Sequence, residues 1–342
     1  MGVDTHQQTH TAAVIDTRGI RHGHREFPAT AGGYRDLVAW ATSHGPVFRF
    51  GVESTGSYGA GLTRHLLTTS GDTQAQKDQQ WEVVEVNRPE KATRVKHGKS
   101  DPVDAYSAAE QAHTGRASAR PKLTTGIVEA IRAVKVPRDV AVRHRTAAFS
   151  QLRDLITTAP DTLREELLPL TARRRVAKAL AMRPDTARLA DPLHATRHAL
   201  RALARRIKAL DAEITEADKI LTRLTKQACP SLLAMRQVGT QTAAQLVITA
   251  GQNIDRMRSE AAFAKLTGVA PLPASSGKTT RHRLNRGGDR AANSALYLIV
   301  IGRMRNHPPT MDYVTRRRAE GLSNPEIIRC LKRHLARAVY RA

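Results

Sequence analysis

Val47-Phe48-Arg49-Phe50-Gly51-Val52-Glu53-Ser54-Thr55-Gly56 is an apolar-rich run that ends on an acid and then on turn residues. Such a run reads as a buried strand with a sharp exit. Upstream, Thr11 to Asp16 reads as a strand, Thr17-Arg18-Gly19 as its turn, and Ile20 to Phe27 as the returning strand. Ala31 to His44 is amphipathic, with Leu37, Val38, Trp40 and Ala41 on one helical face. Downstream, Leu62, Leu66 and Leu67 mark a helix, and Trp81 to Val86 a further strand. Lys99-Ser100-Asp101-Pro102-Val103-Asp104-Ala105 then opens another helix, with Pro102 suited to its first turn. Residues 1–115 therefore form an α/β domain.

Four acids sit at telling places in that order. Asp4 ends the short apolar run Met1-Gly2-Val3, Glu53 ends a strand, and Asp101 and Asp104 lie in the first turn of a helix. Acids at the ends of different elements meet only through folding, and their mutual repulsion is relieved when cations fill the gap. The pattern points to a divalent metal site. Asp101 and Asp104 are three residues apart and share a helix face. First-turn acids also favour the helix dipole, and Asp101 would serve as a cap. Position alone leaves both roles open. The order of hairpin strands, helix, strand, helix, strand, helix resembles that of the ribonuclease-H-like nucleases, a resemblance that implies acids on the first strand, on the strand after the first helix, and on a late helix.

The 342 residues carry 55 Lys and Arg against 31 Asp and Glu, a formal charge of +24. Residues 1–100 hold 12 basic and 10 acidic side chains; the rest holds 43 and 21. A surface so charged suits a polyanion, and nucleic acid is the natural partner. No long apolar run is present for a membrane span, and no signal peptide is visible, so the expected location is cytoplasmic. Two cysteines, Cys229 and Cys330, are too few for a disulfide framework or a zinc cage. Aromatics are only 4%, which favours phosphate contacts by Arg and Lys over base stacking.

Residues 116–228 read as a basic helical linker. Leu200, Leu203, Ile207, Leu210, Ile214, Ala217, Leu221 and Leu224 step by three and four, a heptad seam over 200–224. Charged flanks favour a coiled coil pairing two copies; the alternative is a long helix packed on its own chain. Residues 229–342 read as a mainly helical C-terminal domain. Leu233 to Leu246 resembles a helix-hairpin-helix around Gly239, without the usual second glycine. Ser275-Ser276-Gly277-Lys278 lies in a polar, cationic loop that lacks the glycine spacing of a Walker P-loop. Lys278, Arg281, Arg283, Arg286 and Arg290 follow as candidate nucleic-acid contacts.

Taken in order, Gly2-Val3-Asp4, Glu53-Ser54-Thr55-Gly56, Lys99 to Ala105, and Leu266-Thr267-Gly268-Val269-Ala270-Pro271 leading into Ser276-Gly277 resemble one family. It is the insertion-sequence family numbered one hundred and ten, which includes the Piv/MooV-type DNA invertases. The resemblance implies a RuvC-like DEDD domain, a coiled-coil linker and a C-terminal transposase domain. It implies that Asp4, Glu53, Asp101 and Asp104 bind two Mg2+ ions and that Ser276 is the nucleophile of DNA cleavage and rejoining. It further implies a structured guide RNA encoded by the element, and a dimer or tetramer. Ser275 adjoins Ser276; the glycine after Ser276 favours close approach of a phosphate there. Two rival readings stay open: a junction-resolving nuclease that uses metal and water, and a non-catalytic nucleic-acid-binding relative.

Overall fold

The computed structural model describes residues 1–69, 81–86, 100–275 and 282–342. They form two compact units, one of residues 1–129 with 246–342 and one of residues 130–245.

The first unit is built on a five-stranded sheet. Its strands are β1 (Gly2–Thr5), β2 (Thr9–Ile15), β3 (Arg21–Pro28), β4 (Arg49–Glu53) and β5 (Glu82–Val86), in the order β3-β2-β1-β4-β5. β1, β2 and β3 pair antiparallel; β4 joins β1 in parallel and β5 joins β4 in parallel. The expected mixed α/β sheet is present.

Side-chain alternation divides the sheet into two faces. Val3, Phe50, Val52 and Val83 enter one core with Leu37 of helix α1 (Ala31–Ser43) and Leu62 and Leu66 of helix α2 (Ala60–Thr69). Each such buried large side chain contributes about 1.5–3 kcal/mol. Trp81 closes this core and donates its indole N–H to the Leu66 carbonyl at 3.1 Å.

Among the described residues, the other face carries one helix, α3 (Asp101–His113), whose Ala105, Ala108, Ala109 and Ala112 are buried. Its approach to the sheet is unusually close. A Cβ on Gly2 would lie 2.1 Å from the Ala109 amide nitrogen, and one on Gly51 would lie 2.8 Å from the Ala108 carbonyl oxygen. Gly2 and Gly51 are paired across β1 and β4. Glycines below and alanines above let backbone rest on backbone. Arg49 locks the far end, pairing with Glu82 at 2.6 Å and donating to the Ala112 carbonyl at 2.7 Å.

The rest of this unit is mainly helical: α10 (Glu260–Leu266), α11 (Arg290–Asn306), α12 (Pro308–Ala319) and α13 (Asn324–Arg341), with a small hairpin of β6 (Leu272–Pro273) and β7 (His282–Arg283). Glu260 of α10 receives Arg333 and Arg337 of α13, both at 2.8 Å. The stretch after α3 is stitched to the chain some 130 residues later. Asn253 accepts from the Leu123 amide at 2.8 Å and donates to the Pro121 carbonyl at 3.1 Å.

In the second unit, α4 (Gly126–Thr157, which starts in the first unit) runs alongside α7 (Pro192–Ala228). Arg138 pairs with Asp218 at 2.9 Å and Arg145 with Asp211 at 2.8 Å, an antiparallel register. α5 (Asp161–Leu167) and α6 (Ala172–Ala181) complete a core with Leu152, Ile156, Leu163, Leu167, Leu200 and Ile207. Along the heptad seam, Leu200, Ile207, Ile214 and Leu221 are buried, whereas Leu203, Leu210, Ala217 and Leu224 are half-buried. α8 (Pro230–Ala234) and α9 (Thr240–Ala250) flank the predicted hairpin turn, where Gln237 takes φ 65°, a conformation that favours glycine.

Candidate functional site

The glycine-lined contact between α3 and the sheet decides where the acids go. Gly2 and Asp4 are two apart on β1, as are Gly51 and Glu53 on β4, so each pair shares a face. Val3 pairs with Val52, which makes Asp4 and Glu53 neighbours at the carboxyl ends of adjacent parallel strands. The Thr5 hydroxyl donates to the Glu53 carbonyl at 3.2 Å and holds the two ends together. Beyond Glu53 the chain turns through Ser54 at φ 49°.

α3 lies over this same face and points its first turn at the strand ends. Asp4 is 6%, Glu53 6% and Asp104 5% exposed, a degree of burial rare for carboxylates. Asp101 stays half exposed at the rim. Ser100 occupies the N-cap position but its side chain makes no capping bond, and Asp101 is the first helical residue. Asp101 instead faces His6.

His6 was not anticipated as part of the site. Its Nε2 lies 3.1 Å from an Asp4 carboxylate oxygen and 3.4 Å from one of Asp101. Asp4, His6 and Asp101 each offer a ligand atom, all within 4.8 Å of one another. The signal was present: His6 is two residues after Asp4, the spacing that keeps a side chain on the same face.

The electrostatics agree with the geometry. Burial holds the Asp4 carboxyl above the usual carboxylate range; His6 opposes this, while Asp104 and Asp101 add to it. A divalent cation would reverse that penalty. Carboxylate oxygens with one imidazole form a donor set that suits a hard to borderline divalent ion. The residues present therefore fit a metal.

The C-terminal candidates are placed differently. Ser276, Lys278 and Arg281 lie outside the described residues. Ser275 is exposed just after β6, and Arg283, Arg286 and Arg290 are exposed on β7, the following turn and the start of α11. Asp289 caps α11, accepting from the amides of Ala291 at 2.8 Å and Ala292 at 3.1 Å. Leu266 and Gly268 lie against the Gly287–Gly288 turn, where the Asp289 amide donates to the Leu266 carbonyl at 2.7 Å. Among the described residues, no helix is long and apolar enough to cross a membrane.

Comparison with known proteins adds family matches on both parts of the chain. A DEDD-type profile described as "Transposase" matches residues 1–159, and one described as "Transposase IS116/IS110/IS902 family" matches residues 229–315. Among curated relatives, the chain is 27% identical over 134 residues to the "Insertion element IS900 uncharacterized 42 kDa protein" of Mycobacterium paratuberculosis. It is 32% identical over 105 residues to the "Insertion element IS110 uncharacterized 43.6 kDa protein" of Streptomyces coelicolor. These alignments cover 38% and 30% of this chain, and about a third and a quarter of the relatives, 34% and 26%.

Proposed function

We propose, from the family matches on both parts of the chain, that it is a transposase of the IS110 family of insertion elements and cuts and rejoins DNA through a serine nucleophile next to a divalent metal centre. The supporting observation is the gathering of Asp4, Glu53 and Asp104, all buried, at one end of the sheet, with Asp101 and His6 beside them. In this reading Asp4, Glu53, Asp101 and Asp104 hold two Mg2+ ions in a RuvC-like domain. Bound divalent ions supply charge neutralisation and polarisation of a scissile phosphate.

The protein's own groups do the rest. The Ser276 hydroxyl attacks phosphorus, its proton leaves to base or solvent, and the strand departs as a 3′-hydroxyl. A 5′-phosphoserine link stores the phosphodiester for religation, so no nucleotide triphosphate is consumed. Ser275 is the alternative nucleophile. Lys278, Arg281, Arg283, Arg286 and Arg290 neutralise strand phosphates. A structured RNA encoded by the element selects the DNA, which the +24 charge accommodates. Copies assemble as a dimer or tetramer through what the intrachain core leaves open of the α7 seam, bringing the serine of one copy to the acids of another. The three regions 1–115, 116–228 and 229–342 are the corresponding functional divisions.

The test is a covalent trap. With Mg2+ and a labelled element end, the chain should form a protein–DNA adduct that survives denaturation. Ser276→Ala should abolish it and Ser275→Ala should not. Cleavage without any adduct would establish the water-using nuclease instead. Salt-sensitive binding with neither cleavage nor adduct would establish a non-catalytic relative.

A further inference from the structure

The same compact unit holds a cavity lined mainly by positive charge. With a volume of about 630 Å3, it opens between the Gly268–Pro271 segment, β7, α12 and α13. Arg283, Arg329, Lys332 and His334 line it, along with the apolar side chains Leu284 and Leu322. One carboxylate, Glu326, also reaches the wall. It is already engaged, accepting from the Ser323 amide at 3.0 Å and lying 3.9 Å from Arg329.

Lys332 is the unusual residue. It is only 7% exposed, yet its ammonium donates to the Asn293 side-chain oxygen at 2.8 Å and to no carboxylate among the described residues. Asn293 is itself fully used, donating to the carbonyls of Thr267 at 2.9 Å and Gly268 at 3.1 Å. A buried ammonium with a neutral partner is costly, because desolvation is not offset by an opposite charge. Burial and the neighbouring Arg329 both push its pKa down. Arg283 at the rim makes no ion pair with a carboxylate among the described residues either. An anion would supply what the fold omits. The volume fits one nucleotide unit, with the apolar wall available to its sugar.

We propose that this cavity seats a phosphodiester of a DNA strand, with Lys332 as its buried cation and Arg283 at its mouth. The choice of DNA rests on the recombinase reading above; the anion site itself rests on Lys332. None of its residues belongs to the acid cluster, and occupancy needs no covalent step.

The experiment uses the full chain carrying Ser276→Ala, so that only non-covalent binding is read. Fluorescence anisotropy would follow a labelled single-stranded oligodeoxynucleotide across a KCl series. Lys332→Met should weaken binding about tenfold, and the slope of log affinity against log salt should shrink by about 0.7, the share of one phosphate on a single strand. Lys332→Arg should keep the native slope. Asn293→Ala, which removes the tether and keeps the ammonium, should also keep it. Melting curves would confirm that each variant is folded, with Lys332→Gln as a second neutral variant. An unchanged affinity and slope in both folded neutral variants would overturn the proposal. So would an Asn293→Ala chain that behaves like Lys332→Met, because the lysine would then be a structural tether. Lys332-dependent binding shown only by an oligoribonucleotide would overturn the DNA assignment. Adduct formation by the Ser276 chain is scored separately, so a Lys332 effect without adduct removes the recombinase reading alone, and adduct without a Lys332 effect removes this site alone.

Discussion

The acid cluster and the Lys332 cavity are built in opposite ways. The acids hang from backbone: two strand ends and a helix pressed together across Gly2 and Gly51. The cavity is held by side chains, through the relay from Lys332 to Asn293 to the Thr267 and Gly268 carbonyls. One crowds negative charge and calls for a cation; the other buries positive charge and calls for an anion. Charge of either sign can be concentrated without unfolding the chain, but only where the scaffold is rigid or where neutral hydrogen bonds share the load.

That contrast can be broken most severely at the acids. Asp104→Asn or Asp4→Asn should lower adduct formation by at least about a hundredfold, since loss of even an outer partner of a metal centre costs 10–100-fold. Mg2+ should raise the melting temperature of the native chain; both variants should abolish that rise, whereas Lys332→Met should leave it intact.

The scaffold is the next target. Gly51→Val places methyl groups against the Ala108 carbonyl and the Ala112 side chain and should cost about 1–3 kcal/mol in denaturant unfolding. Gly56→Ala, whose Cβ meets nothing within 4 Å, should change stability by no more than about 0.5 kcal/mol.

A smaller effect follows from Asp4. Its carboxyl titrates above the ordinary range in the folded chain, so the fold favours its neutral form. The contribution is full below about pH 4, the unfolded value, and is lost as pH rises through the raised folded value. Metal-free protein should therefore lose melting temperature over that window. Saturating Mg2+ should reverse the loss, because the ion favours the carboxylate. Asp4→Asn should show neither behaviour. The smallest effect belongs to Glu260→Gln, which releases Arg333 and Arg337 at the surface. It should lower the melting temperature slightly at low salt and by less near 1 M, where salt screens the better exposed Arg337 contact most.

Much of the sheet was legible because its strands are short apolar runs bounded by turn residues. β4 ends on Glu53, and β2 and β3 lie within a residue or two of their expected bounds. The approach of Asp4 to Asp101 and Asp104 was legible from element order. Its cause was not, since a glycine on a strand and an alanine stripe on a helix gain meaning only when stacked. His6 was hidden by its ordinary setting among polar residues. Lys332 was hidden for the opposite reason: a lysine on an amphipathic helix reads as solvated, and only tertiary packing buries it. In the heptad seam, periodicity reported an apolar stripe but not what covers it, and Leu152 and Ile156 of α4 share a core with Leu200 and Ile207. Ser276, which the motif singled out, lies outside the described residues.

The stitch between Leu123 and Asn253 has a consequence for how the chain is made. The amide of Leu123 emerges from the ribosome 130 residues before the side chain that receives it. At about 5–20 residues per second, that is an interval on the order of ten seconds. During it the nascent sheet, with its acids, exists without the C-terminal part of its own unit. A growing polypeptide thus carries the acid-bearing sheet before residues 246–342 of the same unit have been made.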